Sequence, residues 1–175
     1  MKTSKIIVLI TLCLATSNNI NAQTIHDIKN YNVNSTWEDN SDESKLINLF
    51  NVEVISTYKS EDVYKNIPEM GTCWMITNWQ EYNLICTNSQ INNSEFNDYN
   101  FFIMTITSSG QELPIAKAGL YSDNYINNLL VFVKLQSTYR NMLFVIVTFW
   151  VPKKYCINLK DVSIIRKRIN DPLPL

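Results

Sequence analysis

Apolar positions crowd two stretches of the C-terminal half, 126–136 and 142–151, separated by the polar-rich Ser137, Thr138, Tyr139, Arg140 and Asn141. Both runs are rich in Val, Ile, Phe, Leu and Thr, whose branched or ring side chains suit a pleated strand and crowd a helix. Their spacing predicts a β-hairpin ended by Pro152. Within 142–151 the even positions (Met142, Phe144, Ile146, Thr148, Trp150) and the odd ones (Leu143, Val145, Val147, Phe149, Val151) are nearly all apolar. A strand in a one-layer exposed sheet would alternate with polar residues. The pattern therefore predicts two covered faces. Either one lines a lumen and the other lies under a helix or loop, or both belong to a packed sandwich core.

Upstream, period-two and short apolar runs predict strands at 52–58, 72–77, 82–87, 99–108 and 114–121, with a turn at 78–81. Ahead of them, Asn40 followed three residues later by Glu43 has the form of a helix start. Leu46, Ile47, Leu49 and Phe50 then fall roughly on one face, so a short helix is expected there, with Trp37 just before it. Residues 23–36 show no sustained period and read as a loose lead-in. Counting the hairpin, seven strands follow one another without long helical crossovers, with room for an eighth near Cys156. That is an antiparallel meander, a barrel or a sandwich, and the barrel is the expected form. The basic run Arg166-Lys167-Arg168 reads as a solvated, irregular or helical tail.

Residues 1–22 have the three parts of a secretory signal peptide: Lys2 and Lys5, an apolar stretch over 6–15, and Ile20-Asn21-Ala22 before Gln23. The apolar stretch is too short to span a bilayer. The expected product is a single secreted, extracellular domain over 23–175. Taking Lys2 and Lys5 from the 15 basic residues leaves 13 against 16 acidic ones. A net negative charge argues against a nucleic-acid partner, which needs clustered positive charge. Cys73, Cys86 and Cys156 remain, and in an oxidising compartment an odd count implies one disulfide plus one free or intermolecular thiol. Asn34-Ser35-Thr36 and Asn92-Asn93-Ser94 are glycosylation sequons at Asn34 and Asn92. An enzyme is not expected: the single histidine, His26, sits in the lead-in beside Asp27, and no nucleophile has a strand–turn–helix setting. No Cys/His spacing suits zinc, no glycine-rich phosphate loop is present, and no cofactor is implied.

A tryptophan and an acidic-flanked helix, a strand ending in Thr57-Tyr58-Lys59, a cysteine heading the next strand, Leu120-Tyr121-Ser122-Asp123, and the closing Trp150-Val151-Pro152-Lys153-Lys154-Tyr155-Cys156 together resemble the salivary lipocalins of ticks, the histamine-binding-protein-like family. The resemblance covers most of the chain in layout. It implies an all-β, eight-stranded antiparallel up-and-down barrel, a calyx that sequesters a small hydrophobic mediator. It also implies a disulfide between Cys73 and Cys156, which leaves Cys86 as the odd thiol and a possible dimer link. The acids that amine-binding members carry are missing: Asn127-Asn128-Leu129 and Met142-Leu143-Phe144 stand in their places. An unpaired ammonium in an apolar cup costs several kcal/mol, so a fatty acid or eicosanoid is expected ahead of a biogenic amine.

Alternate strand positions would line such a cavity with Tyr58, Trp74, Phe101, Phe132, Phe144 and Trp150. Lys134, with Lys117 in the preceding strand, would meet a ligand carboxylate. The competing class is a secreted β-sheet interaction module with no small ligand, which blocks a host protein or serves a bacterial surface. A side-chain-filled interior would favour it.

Overall fold

The computed structural model describes residues 24–38, 43–87, 91–109, 113–121, 128–136 and 142–169. The signal-like segment 1–22 and the proposed helix cap at Asn40 lie outside the described residues. Ten strands form in chain order: β1 (Lys29–Asn32), β2 (Asn34–Trp37), β3 (Leu46–Phe50), β4 (Val52–Ser56), β5 (Thr72–Ile76), β6 (Tyr99–Ser109), β7 (Ile115–Tyr121), β8 (Asn128–Gln136), β9 (Met142–Pro152) and β10 (Val162–Ile169). They make two five-stranded sheets, β1-β5-β6-β9-β4 and β2-β10-β8-β7-β3. The first sheet is antiparallel throughout. In the second, β10 runs parallel to both β2 and β8.

The expected closed barrel does not form: both sheets are open. The reason lies at two corners. β1 and β2 are consecutive, separated by Val33, yet belong to different sheets; so do β3 and β4, separated by Asn51. The chain bends from one sheet to the other at each corner, which interrupts the hydrogen-bond ladder there, as in sandwiches whose strands switch sheets. Gly71, at φ 77°, makes the turn beside the first corner, where its carbonyl accepts from the Val33 amide at 2.8 Å.

No calyx lies between the sheets. Cys73, Phe102, Met104 and Ile106 from one sheet meet Leu120, Leu129, Val131, Val133 and Ile164 from the other in a single buried cluster. Phe102 and Phe149 stack at 5.3 Å and 7° in its midst. Space a lipocalin would leave hollow is filled with side chains.

The expected hairpin is also overturned. Both runs are strands, but β8 pairs with β7 and β10, whereas β9 pairs with β6 and β4. An eleven-residue ladder between β6 and β9, from Tyr99 opposite Pro152 to Ser109 opposite Met142, outcompetes local pairing. The two covered faces of β9 are as its sequence requires. Val145, Val147, Phe149 and Val151 enter the inter-sheet core. Ile146 and Trp150 lie on the outer face, under a third layer of helix and loop.

That third layer holds the other corrections. Residues 82–87 are not a strand: the helix α1 (Trp79–Ile85) occupies most of them. Conversely, 46–50 is not a helix but the edge strand β3, after one 3₁₀ turn at Glu43–Lys45. The lead-in becomes β1 and β2, and the supposed tail becomes β10, between β2 and β8. Arg166 is consequently half-buried, donates to Thr107 Oγ1 at 3.1 Å, and lies 5.8 Å from the Trp37 ring centroid.

Candidate functional site

With the inter-sheet space full, concavity is found on the outer face of the first sheet. Glu53 of β4 stands opposite Thr148 of β9, and both point away from the inter-sheet core because their neighbours Val52, Val54, Val147 and Phe149 enter it. The same alternation brings Trp150 outward beside Phe101, ring centroids 4.9 Å apart. Helix α1 covers this strip. Asn78 caps it by accepting from the Glu81 amide at 2.9 Å, and the Glu81 carboxylate reaches back to the Thr77 hydroxyl at 3.0 Å. From the next turn Tyr82 descends on Phe101 (5.2 Å, edge-on) and meets Phe96 at 5.6 Å and Trp150 at 6.0 Å.

Between these rings and β4 lies a crevice of about 300 Å³, lined on its polar side by Glu53, Tyr64 and Thr148. A more open groove of about 460 Å³ adjoins it, shares Ile91 and Trp150, and adds Asn92, Glu95 and Tyr99. Trp150 thus lines both concavities, one with Glu53 and the other with Glu95.

Burial governs the titration of the site. The Tyr64 phenol is pushed up to about 12 by desolvation, partly offset by its hydrogen bond to Thr148. Desolvation also raises Tyr82, as does its hydrogen bond to Cys86. The Cys86 thiol moves up to about 11 for the same first reason, with Tyr82 and the Lys65 charge pulling the other way. Near neutral pH the phenols and the thiol are uncharged, and Cys86 has no thiolate to offer as a nucleophile. Among the described residues lining the crevice, Glu53 is the one with a carboxyl group.

Of the seven residues expected to line a cavity, Phe101 and Trp150 are brought together here. Trp74 sits on the same outer face but in a separate concavity at the β1–β5 edge. Phe144 is 41% exposed, and Tyr58 is 83% exposed on the 3₁₀ turn Thr57–Lys59, tied to β9 where Thr57 Oγ1 donates to the Phe144 carbonyl. Phe132 and Lys134 belong to β8 in the other sheet, and their side chains lie outside the described residues. Lys117 is exposed on β7 of that same sheet. The lysines proposed for a ligand carboxylate therefore stand apart from the crevice.

Three free thiols replace the expected Cys73–Cys156 bridge. Cys73 is fully buried in the inter-sheet core, while Cys156 is exposed after β9. Cys86, expected to be the thiol available for a dimer, is 3% exposed beneath α1. Its side chain cannot reach a second chain without opening that layer. The sequons at Asn34 and Asn92 are both exposed. Beside His26, Asp27 Oδ2 accepts from the Thr24 amide at 2.7 Å and hydroxyl at 3.0 Å, which lowers the carboxyl's pKa.

Glu53, Tyr64, Tyr82, Phe96 and Thr148 escaped the sequence reading. The Asn78-Trp79-Gln80-Glu81 cap could have found Tyr82, because a helix starting there puts Tyr82, Ile85 and Cys86 on one face. No family model matches this chain, and neither do characterised proteins or solved structures.

Proposed function

We propose that the protein is a secreted, non-catalytic binding module that holds a compact aromatic amine in the crevice beneath α1. The observation that carries this reading is the meeting of Tyr82, Phe101 and Trp150 with Glu53, Tyr64 and Thr148 around about 300 Å³. Apolar walls with a few convergent polar groups are the usual make-up of a small-molecule site. Ring faces attract a cation, and a carboxylate completes its pairing through a charge-assisted hydrogen bond. Lys65, whose charge acts on Cys86, donates to the Asn83 carbonyl at 3.1 Å and does not line the crevice. This reverses the ligand preference read from the sequence, because the charge at the crevice is an acid.

Isothermal calorimetry on the chain from Gln23 onward, with histamine, serotonin and arachidonate, tests it. The expected result is saturable amine binding, weakened about three- to fivefold by Glu53→Gln, since Glu53 is exposed and an exposed charge pair is worth up to about 1 kcal/mol. Binding of arachidonate alone would reverse the ligand class. Binding of none of the three would favour the competing reading, an interaction module without a small ligand. The observation on that side is the exposed apolar set Ile47, Leu49 and Ile115 on the second sheet, at 47%, 62% and 57% exposure.

A further inference from the structure

A second concavity of about 410 Å³ lies at the β1–β5 edge and shares no lining residue with the Glu53 crevice. Its floor follows from strand register. Asn30 is opposite Trp74, and Asn32 opposite Thr72, so the alternation sets these four on one face while Cys73 and Met75 enter the core. The segment before β5 adds Asn66 and Glu69 as a wall.

Each amide in this corner is already held by the protein. Asn30 Nδ2 donates to the Ile28 carbonyl at 3.0 Å, and Asn66 Nδ2 to the Leu84 carbonyl at 2.7 Å. Asn32 Oδ1 accepts from Thr72 Oγ1 at 3.0 Å. Although the three amides are exposed, these bonds bias their rotamers before any ligand arrives. What remains for a ligand is the Oδ1 acceptors of Asn30 and Asn66, the Nδ2 donor of Asn32 and the Glu69 carboxylate, beside a half-buried indole. Fixing polar groups in advance removes the rotamer cost that otherwise defeats weak ligands.

We propose that this corner binds a pyranose sugar. A pyranose carries vicinal hydroxyls that each donate and accept, matching acceptors and a donor held on one floor. It also presents a face of polarised C–H groups, which the electron-rich face of an indole attracts. Among the described residues the lining holds no Lys or Arg; His26 is its one basic side chain, and the Glu69 carboxylate disfavours an anionic ligand beside it. The volume falls within the range of about 300–1,000 Å³ typical of small-molecule sites.

Free monosaccharide and the terminal residue of a glycan share this chemistry, and two arms of one experiment separate them. The chain from Gln23 onward, labelled with ¹⁵N, is titrated with methyl glucoside, galactoside, mannoside and N-acetylglucosaminide while the Trp74 indole and Asn32 amide signals are followed. In parallel it is applied to a printed glycan array. At least one glycoside should shift both signals saturably, with a dissociation constant on the order of 1 mM. Trp74→Ala and Asn32→Ala should each weaken that response about tenfold or more, whereas Glu53→Gln should leave it unchanged. Array binding with only faint glycoside shifts would assign the site to glycan termini; strong shifts alone would assign it to free sugar. No shift at these signals up to about 50 mM, fifty times a 1 mM constant, together with a silent array, would overturn the proposal. So would a response that survives in both folded variants.

Discussion

Phe102 has no exposed surface, and its ring lies parallel to Phe149 at the middle of the inter-sheet core. Truncation to alanine leaves a ring-sized void that close-packed neighbours fill only in part, so Phe102→Ala should cost about 3–5 kcal/mol, read from urea unfolding. Tyr64 gives a different kind of residue-scale prediction. Its phenol titrates at about 12 when folded, above the ordinary 10, because burial disfavours the phenolate. The unfolded chain therefore releases this proton first as pH rises. Stability from Tyr64 is complete below pH 10 and is lost between pH 10 and 12, by up to about 3 kcal/mol. Tyr64→Phe should lose some stability at pH 8 with its Thr148 hydrogen bond, yet show a smaller further loss on going to pH 11.5. An equal alkaline loss in both proteins would remove Tyr64 from the account. That Phe101 and Trp150 share a covered face was legible, because period-two alternation fixes which strand positions lie together. Tyr58, expected on that face with them, is in solvent because β4 ends at Ser56 and the 3₁₀ turn carries it outward.

Two of the Asn-x-x-Glu sequences stand ahead of an apolar run, Asn40–Glu43 and Asn78–Glu81; the second opens the seven-residue helix α1, whereas a 3₁₀ turn and a strand follow the first. After Glu81 the apolar residues Tyr82 and Ile85 and the thiol of Cys86 recur at helical spacing and find the outer face of β6 and β9 to cover. After Glu43 the five residues Leu46–Phe50 find an unpaired edge instead. Leu46 and Ile47 pair with Tyr121 and Leu120 of β7, and Asn48 absorbs the resulting irregularity at φ 49°. A cap signal proposes a helix, but tertiary partners decide whether a short one survives. Asn78→Ala should therefore cost about 1 kcal/mol, the usual worth of an N-cap, measured by urea unfolding. It should also weaken amine binding, because Tyr82 hangs from the same helix. An unchanged unfolding midpoint would mean that α1 is held by its packing alone. Strand content was legible from β4 to β9, most of whose runs are rich in branched and aromatic residues. Strand pairing was not, because the five-residue link between β8 and β9 fits a hairpin as well as a step between sheets, and only the full-length match of β9 to β6 breaks the tie.

The whole molecule turns on how two sheets are held together without closing. Over 101–106 and 145–149, strands β6 and β9 are buried on both faces, one against the second sheet and one beneath the outer layer of helix and loop, so the packing energy concentrates along the middle of the first sheet. The corners at Val33 and Asn51 join the layers covalently, at opposite edges. An architecture secured in this way has no need of a bridge, and the thiols report whether it has one. Cys73 and Cys86 are 0% and 3% exposed, in the inter-sheet core and the outer layer respectively, whereas Cys156 stands at the surface at φ 49°. In the chain from Gln23 onward, a thiol reagent should label Cys156 at once. Cys73 and Cys86 should react only as fast as their layers open, slower by the opening equilibrium. Dithiothreitol should leave the urea midpoint where it was. A Cys73–Cys156 bridge would close a loop of about 80 residues and contribute roughly 4 kcal/mol in the chain-entropy model. Its reduction would move the midpoint far beyond measurement error, and Cys156 would resist labelling until then. The two architectures therefore make opposite forecasts for one exposed sulfur, and labelling of Cys156 in the native chain decides between them.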